Sequence, residues 1–343
     1  MVKLSRKNYF AEKIVFVDGL PGCGKTLFSS IISAMDKVEL LSYSYDIEHI
    51  CQLFYLDKIQ LDAAITMISI QTDLKLYNTM MGRDVNFRPS DLSSALNYYN
   101  PSKYFNRLND VGDAAIPEKI IQEKPILNFS VHNMFAFSDQ IWESLGERCV
   151  FIEVVRHPLY MVRQQVLNMQ NMIATARSFS VYFEKDSNEL IYYVKGWEDK
   201  YLQSNSFERV IYFMDNLTRK TQKARDKITL EFESNVLTIP FEQFVLDPDL
   251  WMDKIAEVIG TNITNETRKI MKEQNVPRDM VSQGVDLDIY RRCGWKPPEE
   301  NSTERDELNI RREEIAREIS SDALVVLDRL SKEYEDQYWK LDA

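Results

Sequence analysis

Residues Gly19-Leu20-Pro21-Gly22-Cys23-Gly24-Lys25-Thr26 match the pattern G-x-x-x-x-G-K-[ST] at every fixed position. The pattern constrains the fold because it functions only as the turn between a buried strand and a helix. Both flanks fit: Lys13-Ile14-Val15-Phe16-Val17-Asp18 is apolar and β-branched, and Leu27, Ile31, Ile32 and Met35 follow at helical spacing. Glycines let successive N–H groups turn inward around phosphate oxygens, and a helix beginning near Lys25 adds its positive dipole end. Lys25 can neutralise charge on a transferring group, and Thr26 can hydrogen-bond a phosphate or hold magnesium. A turn that binds nothing has no need of Lys-Thr after its last glycine. The loop therefore predicts a bound phosphorylated nucleotide without naming the group transferred.

Pro125-Ile126-Leu127-Asn128-Phe129-Ser130-Val131-His132 and Cys149-Val150-Phe151-Ile152-Glu153-Val154-Val155 read as second and third strands, too apolar for an exposed edge. Asn235-Val236-Leu237-Thr238-Ile239 reads as a further strand, and Asp249 to Gly260 as a helix stopped by that glycine. Val210 to Asp215 fits a strand and a helical turn equally. From Asp46 to Gly82, Ile47, Ile50, Cys51, Phe54, Tyr55, Ile59, Ala63 and Met67 recur at three and four, which predicts long or paired helices. Residues 82–117 are turn-rich and form a lid or insertion candidate. Thr303, with Asp306 three positions later, opens a charged amphipathic tail over 303–341 whose apolar spacing does not sustain a heptad. Together these predict one α/β domain over 1–343: a three-layer P-loop sandwich with a central, mostly parallel sheet, a helical insertion and a C-terminal amphipathic helix.

With 343 residues, 44% of them hydrophobic, the chain can bury a large core, which excludes a disordered protein. Its 42 basic and 53 acidic side chains leave a net charge of −11, which opposes binding to nucleic acid. No apolar run approaches the roughly 20 residues of a membrane span. Met1 to Lys7 is basic but runs into Asn8, Tyr9 and Glu12, not an apolar leader segment, so a cytoplasmic protein is expected. Cys23, Cys51, Cys149 and Cys293 are scattered, as suits reduced thiols, and His49, His132 and His157 show no zinc-ligand spacing, so no metal site is expected.

His132 follows the second strand and Arg156 the third. A histidine at a parallel strand's end suits a general base toward an acceptor, because its unperturbed pKa lies near neutrality. Arg156 offers a fork of donors to a phosphate. Taken singly, His132 reads equally as a core histidine and Arg156 as one half of an ion pair with Glu153. Their succession after consecutive strands is the more informative feature.

In these residues the chain resembles the sulfotransferase superfamily, P-loop folds that use 3'-phosphoadenosine 5'-phosphosulfate (PAPS) as donor. The likeness spans most of the chain. Strand and loop through Pro21-Gly22-Cys23-Gly24-Lys25-Thr26 resemble the family's phosphosulfate loop, Pro125 to His132 its histidine strand, and Phe151 to Pro158 its Arg-x-Pro strand end. Val236 to Phe244 with Asp247-Pro248 is similar to a late strand and acidic turn, and Arg291-Arg292-Cys293-Gly294-Trp295-Lys296 to the basic Gly-Trp-Lys loop. The resemblance implies that Gly19, Pro21, Gly22, Cys23, Gly24, Lys25 and Thr26 hold the 5'-phosphosulfate. It further implies that Arg156, Gln164, Arg291, Arg292 and Trp295 hold the 3'-phosphate end. His132 would take the proton of an acceptor hydroxyl or amine on a small molecule or glycan, with Lys25 stabilising the leaving oxygen and no metal required. Tyr98, Tyr99, Tyr104 and Phe105 line an acceptor pocket or belong to the core. The chain departs from the family pattern at Gly22, where a lysine is usual, at Lys25 for threonine, Leu27 for tryptophan, Ser130 for lysine and Gln164 for serine, with Arg163 beside it. The basic loop is also shortened.

Two other readings remain open on sequence. One is an ATP- or GTP-dependent kinase or NTPase using magnesium, with Asp215 ending a Walker B strand, or with Asp18 or Glu153 as the metal's carboxylate. The other is a nucleotide-dependent interaction protein without catalysis, whose C-terminal helix engages a partner. Nothing in the pattern specifies the acceptor's identity or an oligomeric state.

Overall fold

The structure, a computed structural model, describes all residues except 1, 92, 110–111, 171–174, 229, 286–287, 289–290, 292–294, 299–301 and 341–343. Its strands in chain order are β1 (Ile14–Asp18), β2 (Ser42–Tyr43), β3 (Leu127–Ser130), β4 (Cys149–Val155), β5 (Tyr182–Lys185), β6 (Asn188–Ile191) and β7 (Val236–Pro240). Five of them form one sheet in the order β2-β3-β1-β4-β7, with every pairing parallel. All of β1 and β3, and β4 up to Val154, are buried. Helices cover both faces of such a sheet, which is why its strands are apolar throughout and do not alternate.

The chain leaves β1 toward β3 on one side and later reaches β4 on the other, so the strand order reverses at β1. A crevice opens at the carboxyl ends of strands where order reverses. Val17 pairs with Ser130 and Asp18 with Glu153, so the loop after β1 lies between the segments that follow β3 and β4.

Helix α1 (Lys25–Ser33) buries Phe28, Ile31 and Ile32 in the core. The apolar run after Asp46 forms a pair, α2 (Tyr45–Tyr55) and α3 (Leu61–Met80). In α3 the buried stripe is Ala64, Ile68, Leu76 and Met80, one position later than the expected Ala63 and Met67, and Met67 is exposed.

Between Met80 and β3 lie α4 (Pro101–Leu108) and α5 (Ile116–Glu123). This segment is moored through buried Glu39. Arg107 donates to both Glu39 oxygens at 2.8 and 2.9 Å, Lys103 lies 3.0 Å away, and the Tyr104 hydroxyl bonds Oε2 at 3.0 Å. Burial alone would push the Glu39 carboxyl up, but Lys103 and Arg107 outweigh it and hold it at about 2.

Helices α6 (Asp139–Leu145) and α7 (Pro158–Asn168) follow β3 and β4. Then come α8 (Glu198–Gln203) and α9 (Ser206–Lys227). Val210 to Asp215 lies inside α9, which settles the strand-or-helix ambiguity against a Walker B strand. A capping box between Asn205 and Glu208 starts the helix, and Val210, Phe213, Met214 and Leu217 form its buried stripe. Asp215 is bonded to Arg219 at 2.9 Å and Arg329 at 2.6 Å, so it is a structural carboxylate. The β5–β6 hairpin escaped notice in the sequence, where its turn, Asp186 and Ser187 at φ 50 and 63, carries no glycine.

After α10 (Leu230–Glu233) and β7 come α11 (Phe241–Leu246), α12 (Asp249–Ile259) and α13 (Asn265–Glu273), with Gly260 at φ 74 stopping α12. The tail forms two helices, Glu304–Ala316 and Ser321–Tyr338, capped by Thr303 and Ser320.

Candidate functional site

The phosphate-loop residues are shaped by their neighbours. Gly24 caps α1 at φ 106, and a Cβ there would lie 2.4 Å from the Phe241 ring; a Cβ at Gly19 would lie 2.3 Å from the Val154 carbonyl oxygen. Only glycine satisfies both the left-handed backbone and the close approach. No side chain caps the start of α1, and its first helical bonds run from Leu27 and Phe28 to the Gly24 carbonyl. The amides of Lys25 and Thr26 therefore precede the first intrahelical bonds, at the positive end of the helix.

Lys25 is buried and donates through Nζ to the carbonyls of Gly19 at 2.7 Å and Leu20 at 3.1 Å, clasping the loop's entry. Pro21, Gly22 and Thr26 are partly exposed along the loop, whereas Cys23 is buried and its thiol is pushed up by desolvation. Gln164 lies against Gly22, whose Cβ would sit 3.1 Å from Oε1.

Arg156 follows β4, immediately before His157, which caps α7. Its guanidinium donates through Nη1 to the Gly22 carbonyl at 2.9 Å and stacks over Phe241 at 4.2 Å. Burial lowers its pKa, and the nearby Glu242 carboxylate works against that shift. Nε is buried without a partner among the described residues. The ion pair considered for Arg156 and Glu153 is absent from the described contacts, because Glu153 is bonded to Arg225 and, at 2.8 Å, to Thr238. Glu242 in turn accepts the His157 amide at 2.9 Å and the Tyr334 hydroxyl.

His132 stands two residues past β3. Its turn is fastened to the phosphate loop by Asp18, whose carboxylate accepts the amides of Met134 at 3.1 Å and Phe135 at 2.7 Å. Burial pushes the Asp18 carboxyl up, opposed by these amides and by Lys25. One oxygen of Glu48 meets both the His132 amide and Nδ1 at 3.0 Å. The rings of Tyr43 and Tyr45 lie nearly parallel to the imidazole at 6.4 Å and line a cavity of about 210 Å³ together with Leu40, Lys75 and Tyr104. Tyr98 and Tyr104 are otherwise core residues, and Phe105 is exposed.

The remaining residues expected at the site are placed elsewhere or fall outside the described set. Arg163 points to Glu314 at 2.9 Å, beside a separate cavity of about 440 Å³ between α7 and the helix Glu304–Ala316. Trp295 packs on the segment before it, donating to the Ser282 carbonyl at 2.9 Å. Arg291 is exposed, and Arg292, Cys293 and Gly294 lie outside the described residues. Sequence reasoning missed Glu48, Tyr43, Tyr45 and Phe241, which reach the site across long chain separations without any local motif. Asp18 alone carried a signal, its place immediately before Gly19.

Among the described residues, no three His, Cys, Asp or Glu side chains cluster to hold a metal ion, and no helix is long and apolar enough to cross a membrane. An uncapped helix start and Lys25 lie on the loop after β1, and buried Arg156, whose Nε has no partner among the described residues, lies against that loop from the segment after β4. N–H and cationic groups of this kind are the chemistry a phosphate takes.

No protein-family model matches this chain, and neither does any curated protein. Solved structures similar to it include sulfotransferases. The sulfotransferase domain of a Synechococcus olefin synthase is 12% identical, with 100% of this chain and 98% of that one covered and a TM-score of 0.47. The sulfotransferase domain of the curacin biosynthetic pathway is 10% identical, covering 93% and 97%, with a TM-score of 0.45. A sulfotransferase from Alicyclobacillus acidocaldarius is 12% identical, covering 94% and 96%, with a TM-score of 0.39.

Proposed function

We propose that this protein transfers a sulfuryl group from PAPS to a hydroxyl or amine of a small-molecule or glycan acceptor. One observation carries the reading: β3, β1 and β4 are adjacent and parallel, so the His132 turn, the phosphate loop and Arg156 emerge side by side. The sequence resemblance supports it independently.

On this reading the bound donor supplies an activated sulfuryl group, and the chain's residues bind, orient and move a proton. The amides of Gly22, Gly24, Lys25 and Thr26 and the positive end of α1 would hold the phosphosulfate oxygens, the Cys23 amide being bonded to the Leu20 carbonyl at 3.1 Å. Lys25 places a cation beside the bond that breaks, a preorganised charge in a site largely shielded from water. Arg156, with Gln164 beside it, binds the donor's other phosphate. His132 accepts the acceptor's proton as the acceptor is sulfated. The acceptor approaches from the cavity beside Tyr43 and Tyr45, whose rings offer a flat wall next to the imidazole.

Thermal shifts with adenosine 3',5'-bisphosphate, with ATP and magnesium, and with GTP and magnesium test the donor class, because a ligand selective for the native state raises Tm. A shift with the bisphosphate in the absence of metal is expected. A shift only with a magnesium nucleotide would replace this reading with the kinase or NTPase. Labelled PAPS offered with an acceptor panel identifies the product.

A further inference from the structure

We infer that Glu48 is the positioning residue for His132, fixing its imidazole in the tautomer that carries the proton on Nδ1 and leaves Nε2 to receive one. The inference rests on the sulfuryl-transfer reading only for what Nε2 acts upon.

Glu48 lies in the first turn of α2, is 4% exposed, and has its own amide tied to the Ser44 carbonyl at 3.1 Å. Its Oε1 accepts the His132 amide at 3.0 Å, so that oxygen is already an acceptor when it meets Nδ1 at 3.0 Å. An acceptor facing a ring nitrogen requires the ring to donate there, which places the hydrogen on Nδ1 and a lone pair on Nε2. The backbone bond fixes where the histidine sits; the ring bond fixes how it is turned. Asp18 holds the same turn from the other side through the Met134 and Phe135 amides.

The imidazole stays 38% exposed, flanked by Tyr43 and Tyr45. Nε2 can therefore meet a group that enters from solution. As the acceptor's O–H or N–H bond breaks, its proton goes to Nε2 and its electron pair forms the new bond to sulfur. The sulfur–oxygen bond to the donor phosphate breaks, and that oxygen keeps the pair. The cation left on the ring then faces the Glu48 carboxylate, as in other carboxylate–histidine pairs.

Nitrogen-15 NMR of the histidine rings tests the geometry without any turnover assay, with the resonance assigned by its loss in His132→Gln. The neutral His132 ring is expected as the Nδ1–H tautomer; an Nε2–H tautomer overturns the inference. Glu48→Gln keeps an acceptor oxygen but removes the charge. It is expected to lower kcat about ten- to hundredfold with KM changed less than about threefold. In the His132→Ala background the same substitution is expected to change turnover by less than about twofold, because Glu48 acts through the ring. A Glu48→Gln enzyme as active as wild type, or an equal loss in both backgrounds, overturns the inference. Absence of sulfuryl transfer in the wild type would remove the proposed function and leave the tautomer measurement to decide the role of Glu48.

Discussion

The Arg156 guanidinium donates to the Gly22 carbonyl across 2.9 Å, so the segment after β4 grips the backbone of the loop that follows β1. A single side chain thus braces the loop backbone and, on the proposed function, also binds the donor. Two consequences of losing it separate experimentally.

Arg156→Ala is expected to destabilise the fold by about 1–3 kcal/mol, since it deletes a charge-assisted bond and the stacking on Phe241. Adenosine 3',5'-bisphosphate should bind roughly ten- to hundredfold more weakly. Urea unfolding and calorimetry measure the two effects. Arg156→Lys restores charge without the fork and should recover less than half of the lost binding energy. Affinity within twofold of wild type in Arg156→Ala would remove this residue from the donor site.

His132→Ala should bind the bisphosphate within about twofold of wild type and lose about 10²–10⁴ in transfer rate, the range for a positioned general base. Single-turnover kinetics with labelled donor report the loss. Unchanged turnover would take His132 out of the chemistry.

Gly24→Ala introduces a methyl 2.4 Å from the Phe241 ring, at a backbone φ of 106. The cost is expected to be about 1–3 kcal/mol, with a smaller nucleotide-induced rise in Tm. Phe241→Leu in the same chain should return the steric part alone, because the left-handed backbone still penalises alanine. Scanning calorimetry of both variants with and without the bisphosphate checks the partition.

Glu39 sets an acid limit on stability. Its carboxyl is held at about 2 against an ordinary value of 4.5, so folding gains from it above roughly pH 4.5 and loses that gain as pH falls toward 2. The full effect is about 3 kcal/mol. Urea midpoints between pH 5 and 2.5 should fall for the wild type and show a shallower fall in Glu39→Gln. Glu39→Ala strands Arg107 without its carboxylate and should cost about 3–5 kcal/mol near neutrality. Parallel pH profiles for wild type and Glu39→Gln would discount the buried pair.

Sequence made the sheet legible where strands are buried on both faces, because runs such as Val15-Phe16-Val17 and Val150-Phe151-Ile152 admit few alternatives. It was silent on β2, whose two residues show no pattern, and indifferent at Val210 to Asp215, where six residues cannot distinguish a helix from a strand. At the candidate site, local signals exposed the loop and the order of His132 and Arg156. Glu48 meets His132 from 84 positions away, and Phe241 reaches Gly24 from another strand's end; such partners are chosen by the folded sheet. The amphipathic tail was readable from its charges, but its bond from Tyr334 to Glu242 was not.

That last bond has a consequence for how the protein is made. Glu242 and His157, which frame the approach to Arg156, find their partners on the helix Ser321–Tyr338, through Tyr334 and Glu335. A ribosome synthesises the cradle, its arginine and the buried carboxylate well before the residues that quiet them. The nascent chain must therefore hold polar groups in waiting until residues 334 and 335 have emerged, and a translational pause between residues 242 and 334 would lengthen the interval in which chaperones can engage it.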